Sequence, residues 1–190
     1  DSTEKLISLL DHALLNRDEL GRFRMHPILR QLASEKLNSP NMSEVKEQAL
    51  KRHSRFFADL VRSFEHDLQL GVGPAEVQAI LPEQANLRAA WHHAVQTKQW
   101  QIIADCLDGA HYFYRRKGLF SEEASLVDDA IMALHATMAE DDAPLTALLA
   151  RLLVVKAWGY LHSADFEKGI ETAERVCGST AVNRGEEIEP

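Results

Sequence analysis

Histidine is the residue type best placed to do chemistry here, and the chain carries nine of them, yet their spacing builds no reactive centre. None forms the H-E-x-x-H pattern that puts two metal ligands on one helix face. The adjacent His92 and His93 point to different parts of a helix and read as surface or structural residues. No glycine-rich loop closes on Lys-Ser or Lys-Thr to cradle phosphates, and Gly71-Val72-Gly73 lacks the third glycine of a dinucleotide fingerprint, so it reads as a helix stop. No Gly-x-Ser-x-Gly elbow presents a nucleophile. The carboxylate runs Asp128-Asp129 and Glu140-Asp141-Asp142 fit a solvated helix face and a helix start. Cys106 and Cys177 lie in separate helical patterns with no C-x-x-C spacing, so neither a disulfide framework nor a zinc knuckle is indicated and both read as buried free thiols. The chain is therefore expected to be no enzyme, with neither catalytic residues nor a metal.

Two runs carry binding chemistry instead. His111-Tyr112-Phe113-Tyr114-Arg115-Arg116 brings aromatic and Arg side chains, the types enriched at binding hot spots, to the end of one helical pattern. Helical geometry puts Phe113 with Leu107 or Ala110 on the core side and leaves Tyr112, Arg115 and Arg116 as partner-binding candidates; core packing and helix-end charge pairing are the alternative account. Near the start, Arg17, Arg22, Arg24 and Arg30 give a basic side to which a nucleotide's phosphates or an acidic neighbour would be drawn, or else form solvated charges beside Asp18 and Glu19.

Composition narrows the classes. The 190 residues carry a formal net charge of −8, which offers no overall attraction to a phosphate backbone, and residues 3–15 set only Lys5 against Glu4 and Asp11. A nucleic-acid partner is not expected for this segment. No signal-type segment opens the chain and no apolar run is read as approaching the roughly 20 residues that span a bilayer, so a cytoplasmic, membrane-free location is expected.

The elements that must position these residues are mostly helices. Leu6, Ile7, Leu9, Leu10 and Leu14 predict a helix over 3–15, with Ser2 or Thr3 as its cap. Residues 14–25 place two short apolar-flanked runs around a polar tip closed by Gly21, which reads as a β-hairpin; between two helices, that is the wing of a winged helix. Pro27 suits a first helical turn, with Ile28, Leu29, Leu32, Ala33 and Leu37 as the buried face. Asn41 and Glu44 predict a capping box for a long helix whose stripe runs Val45, Ala49, Phe56, Phe57, Leu60, Val61, Phe64 and Leu68. Gly71 to Pro74 breaks it, and Pro82 begins a helix carrying Leu87, Ala90, Trp91 and Ala94.

Further helices are predicted over 99–117, 120–138, 143–162 and 165–177, turning at Gly118, at Asp142-Ala143-Pro144 and at Ala164-Asp165. The corners before Phe120 and Phe166 resemble each other but lie further apart than the roughly 34 residues of a tetratricopeptide unit. Ala157, Tyr160, Phe166, Gly169, Ala173 and Val176 fall where such repeats put small and aromatic packing residues, although Gly169 replaces the usual Ala. Helix 143–162 is apolar nearly all round and calls for neighbours on several sides, which suggests a homodimer through the C-terminal helices. The expected fold class is thus all-α, a small winged-helix element with a β-hairpin followed by an irregular antiparallel, tetratricopeptide-like array. Its parts are 1–38, 39–177 and a flexible tail 178–190.

Phe23-Arg24-Met25-His26-Pro27-Ile28-Leu29-Arg30, with Glu83-Gln84-Ala85-Asn86-Leu87-Arg88-Ala89-Ala90 further on, resembles the junction in STAND-type signalling ATPases, the NB-ARC-containing bacterial regulators. There the winged helix that closes the nucleotide module hands over to a helical arm. Met25 and His26 match the family's Met-His-Asp motif, and Pro27 stands where its Asp would be. The resemblance, over about residues 1–130, implies that His26 touches the β-phosphate of bound ADP in the intact parent and holds its off state. On its own residues, His26 reads as a helix-start cap or packing residue.

It further implies a non-catalytic regulatory and protein-binding segment acting in signal transduction, and in transcription regulation where the parent is a transcriptional regulator. A protein or small-molecule effector would bind the array, the nucleotide-binding domain of the same parent would be the other partner, and ADP or ATP would be held by the parent rather than by this segment. The alternative is a free-standing tetratricopeptide-like scaffold or chaperone-like adaptor without an ATPase. The first helical pattern begins almost at Asp1, as expected of a piece of something longer.

Overall fold

A computed structural model of the chain describes residues 2–18, 21–71, 78, 80–139 and 142–182, with backbone alone at residue 2 and at 177–182. It is mostly helical, with a two-stranded antiparallel sheet, and divides into two compact units, Asp1–Ala49 and Leu50–Pro190.

In the first unit, α1 (Ser2–Asp11) ends earlier than expected because Ala13 turns left-handed at φ 54°. Leu14 N–H then bonds the Leu9 carbonyl at 2.9 Å. Strands β1 (Leu15–Arg17) and β2 (Phe23–Met25) pair with Leu15 opposite Met25, Asn16 opposite Arg24 and Arg17 opposite Phe23. Of the tip, Glu19 and Leu20 lie outside the described residues. Gly21, at φ 79°, closes it with its N–H on the Asp18 carbonyl. Helix α2 (Pro27–Leu37) starts with Pro in its first turn. Its expected buried face is corrected: Ile28 is 69 % and Leu32 60 % exposed, Ala33 is exposed, Leu29 and Leu37 are half-buried, and α2 buries no residue. A unit of this size has too little surface to cover every apolar stripe it contains.

After a 3-10 turn at Pro40–Met42 comes α3 (Ser43–Ser63). The capping box is not formed, because Asn41 sits inside the 3-10 turn and accepts from Ser39 Oγ at 2.7 Å. The long stripe is also interrupted: α3 stops at Ser63 and a new helix, α4 (Glu65–Leu70), starts after Phe64. Phe57, Ala58, Val61 and Leu68 are buried, whereas Val45 and Phe56 are exposed.

In the second unit, α4 ends on left-handed Gly71, and the expected break at Val72, Gly73 and Pro74 lies outside the described residues. A 3-10 turn at Leu81–Glu83 leads into α5 (Gln84–Gln96), then α6 (Trp100–Lys117), α7 (Phe120–His135), α8 (Ala143–His162) and α9 (Phe166–Val182). Helix α7 thus ends before the expected 138, and α9 continues past 177. The side chain of Cys177 and residues 183–190 lie outside the described residues, as do Glu140 and Asp141. Asp142 does cap α8, its carboxylate accepting from Leu145 N–H at 3.2 Å.

Helix α6 is the centre of this unit. It packs on α4, α5, α7 and α8 and buries Ile103, Leu107, Ala110 and Phe113. Its Gly109 lets α3 cross closely, since a Cβ there would come within 2.7 Å of the Val61 carbonyl oxygen. Trp91 of α5 reaches across with its indole N–H on the Leu126 carbonyl of α7 at 2.9 Å, which satisfies the polar end of an otherwise buried ring. Helix α8 packs on α7 and α9 and buries Leu148, Leu149, Leu152, Leu153 and Val155. The expectation that no run approaches spanning length is corrected, because Ala143–His162 is long and apolar enough by length and composition to cross a membrane. Within this unit it packs on α6, α7 and α9, and its Arg151 and Lys156 are paired with Asp108 and Asp128 at 2.7 and 2.6 Å.

Candidate functional site

His26 stands at the junction of β2 and α2. Pro27 fixes the backbone for a helix start, and the His26 side chain caps it, Nδ1 accepting from Ile28 N–H at 3.3 Å. An accepting Nδ1 carries no proton, so the ring N–H is on Nε2. The residue is exposed, so that N–H is presented outward. A single donor on a fixed ring is suited to an anionic oxygen.

The basic side of the hairpin is largely engaged in holding its own turn. Asp18 accepts from Arg22 N–H at 2.9 Å and from Arg24 Nε at 3.0 Å, and Arg17 Nε donates to the Gly21 carbonyl at 3.0 Å while its guanidinium lies 5.9 Å from the Phe23 ring centroid. Arg30, exposed on α2, keeps a solvated charge.

The second set of candidates is carried by the last turns of α6, where Phe113 is fully buried with Leu107 and Ala110 as the helical spacing requires. Tyr112 is half-buried and packs against the core, its ring 5.5 Å from that of His111. Arg115 lies over the Trp158 ring at 4.9 Å, joining α6 to α8 by a cation–π contact. Arg116 turns the other way, its Nε donating to the Leu68 carbonyl at 3.2 Å in the last turn of α4. It also fills the space beside Gly71, where any Cβ would collide with its guanidinium. Arg115 therefore faces α8, Tyr112 packs against the core, and Arg116 belongs to the junction with α4.

Folding adds residues that spacing could not reveal. His111 Nδ1 and Glu123 Oε1 are 2.6 Å apart and both side chains are nearly inaccessible, so this pair joins α6 to α7 inside the core. Burial, then the nearby Glu122 carboxylate, pushes the Tyr114 phenol up, which keeps it neutral. Cys106 is pushed up to about 12 by burial and is an inert thiol. Burial works to raise Asp105, but hydrogen bonds from Gln101 and Arg55 and the charge of Arg62 outweigh it and hold the carboxyl below its usual value.

Trp158, exposed to 42 %, and His162 complete the face that Arg115 opens. The only sequence signal for them was the excess of apolar residues around α8. Chemically this face is aromatic and cationic, with the residue types enriched at binding hot spots, and among the described residues no cluster of three metal-ligating side chains occurs. Compared with family models, curated proteins and solved structures, the chain matches none.

Proposed function

We propose that this chain is a non-catalytic regulatory segment of a bacterial STAND-type signalling ATPase, as found in transcriptional regulators. In this reading the hairpin with α1 and α2 is the closing part of a winged helix, and the helices after it form an irregular tetratricopeptide-like array that receives a protein or small-molecule effector. The observation that carries the reading is His26. It follows the strand that ends at Met25, caps the next helix, and holds its one N–H outward while its other nitrogen is tied to the backbone. A parent protein that keeps ADP bound through this N–H loses one charge-assisted donor when the ring is replaced, worth roughly 1.5–3 kcal/mol, or about a ten- to hundredfold faster release.

The test separates sensing from capping. In the intact parent, His26→Asp keeps a capping oxygen but sets a negative charge against phosphate, so ADP should dissociate faster while the thermal midpoint holds. His26→Ala should lose both. Unchanged ADP dissociation in both variants would leave His26 as a cap and withdraw the proposal.

A further inference from the structure

Between α7 and α8 runs a groove of about 340 Å³, near the lower end of the range of small-molecule sites. Its floor is aliphatic, made by Ala124, Val127 and Val155. At one end the rings of Phe120 and His162 stack, with centroids 4.5 Å apart and planes 24° from parallel. Tyr160 stands at the side, with the Lys156 ammonium 5.9 Å from its ring centroid.

Gly159 is the feature that packing does not explain. It lies well inside α8, where glycine is among the least favourable residues, yet a Cβ built on it meets no atom within 4 Å. No neighbouring helix approaches there to demand a glycine, in contrast to Gly109 against Val61. What its missing side chain leaves is room in the groove wall.

The charged groups in this wall are already matched. Lys156 Nζ lies 2.6 Å from Asp128 Oδ1, and Glu123 is taken by His111. A charged ligand would have to break one of these pairs, whereas an uncharged one need not. His162 Nδ1 donates to the Trp158 carbonyl at 2.9 Å, so the neutral ring keeps Nε2 as an acceptor.

We infer that this groove binds an uncharged, planar aromatic molecule of one or two fused rings that bears an N–H or O–H donor. It would sit over Gly159 between Tyr160 and the Phe120–His162 stack, its donor on His162 Nε2. That such a molecule would act as a signal rests on the reading of the array as the receiving part; the groove itself does not.

The experiment titrates the whole chain with indole, 1-methylindole and indole-3-acetate, following backbone amide resonances. Indole should give saturable shifts at Ala124, Val127 and Gly159. 1-Methylindole, which lacks the donor, and indole-3-acetate, which carries a charge, should each bind about tenfold more weakly, the loss of one hydrogen bond or of charge matching. Gly159→Leu, which fills open space, should abolish the indole shifts with the fold retained. His162→Phe keeps a ring on Phe120 and should reduce indole to the level of 1-methylindole. Equal binding of all three probes, unchanged binding in Gly159→Leu, or no saturable shift in the groove would each overturn the inference. None of these outcomes touches the ADP measurement on His26, so the two proposals fail separately.

Discussion

At the scale of single residues, the same side-chain type does different work according to what surrounds it. His26 is exposed and caps a helix, His111 is buried against Glu123, and His162 stacks on Phe120. His53 is held below its ordinary value of 6.5, because burial beside Phe57 disfavours the charged ring more than the Asn86 hydrogen bond favours it. The unfolded chain therefore binds a proton at higher pH than the folded one. This contribution to stability is fully present above about pH 6.5 and is lost as pH falls through the lower folded value. Replacing His53 with Gln should shrink the drop in thermal midpoint between about pH 7.5 and about pH 5. An equal drop in both proteins, measured by circular dichroism, would show that other groups carry the acid sensitivity.

At the scale of elements, the corners repeat more regularly than the sequence does. At the ends of α5, α6 and α8 one residue turns left-handed: Lys98 at φ 57°, Gly118 at 68° and Ala164 at 58°. In each case the next N–H reaches back five residues, from Gln99 to Ala94, Leu119 to Tyr114 and Asp165 to Tyr160, at 2.8–3.0 Å. Only one of the three positions is Gly, so a β-carbon is held in an unfavourable backbone region at the other two. Relieving that strain with Ala164→Gly should raise stability by about 1 kcal/mol, and Gly118→Ala should lower it by a similar amount. Urea midpoints that move in the same direction for both substitutions would refute the shared-corner account.

At the scale of the whole molecule, the outer helices keep apolar surface in water. Val154, Trp158 and Leu161 on α8 and Phe166 and Ile170 on α9 are 42–60 % exposed. Self-association through these helices should appear as a sedimentation coefficient that rises with concentration and falls back in a Phe166→Glu, Ile170→Glu double variant. A concentration-independent monomer would show that the surface is tolerated in water. The sequence by itself determined the helices of the second unit, most of their corners and the hairpin, because 3.6-residue periodicity, Pro at helix starts and Gly at turns act over a few residues. It also placed Phe113 in the core and His26 at a helix start. Tertiary structure decided what depends on neighbours far along the chain. Ile28 and Leu32 have the spacing of a buried face, yet both stay exposed; Arg115 and Arg116 are adjacent, yet one meets Trp158 and the other the Leu68 carbonyl. The α7–α8 groove was not legible for the same reason: a helix glycine shows that a side chain is missing, and only the packed neighbours show whether the space it leaves is filled.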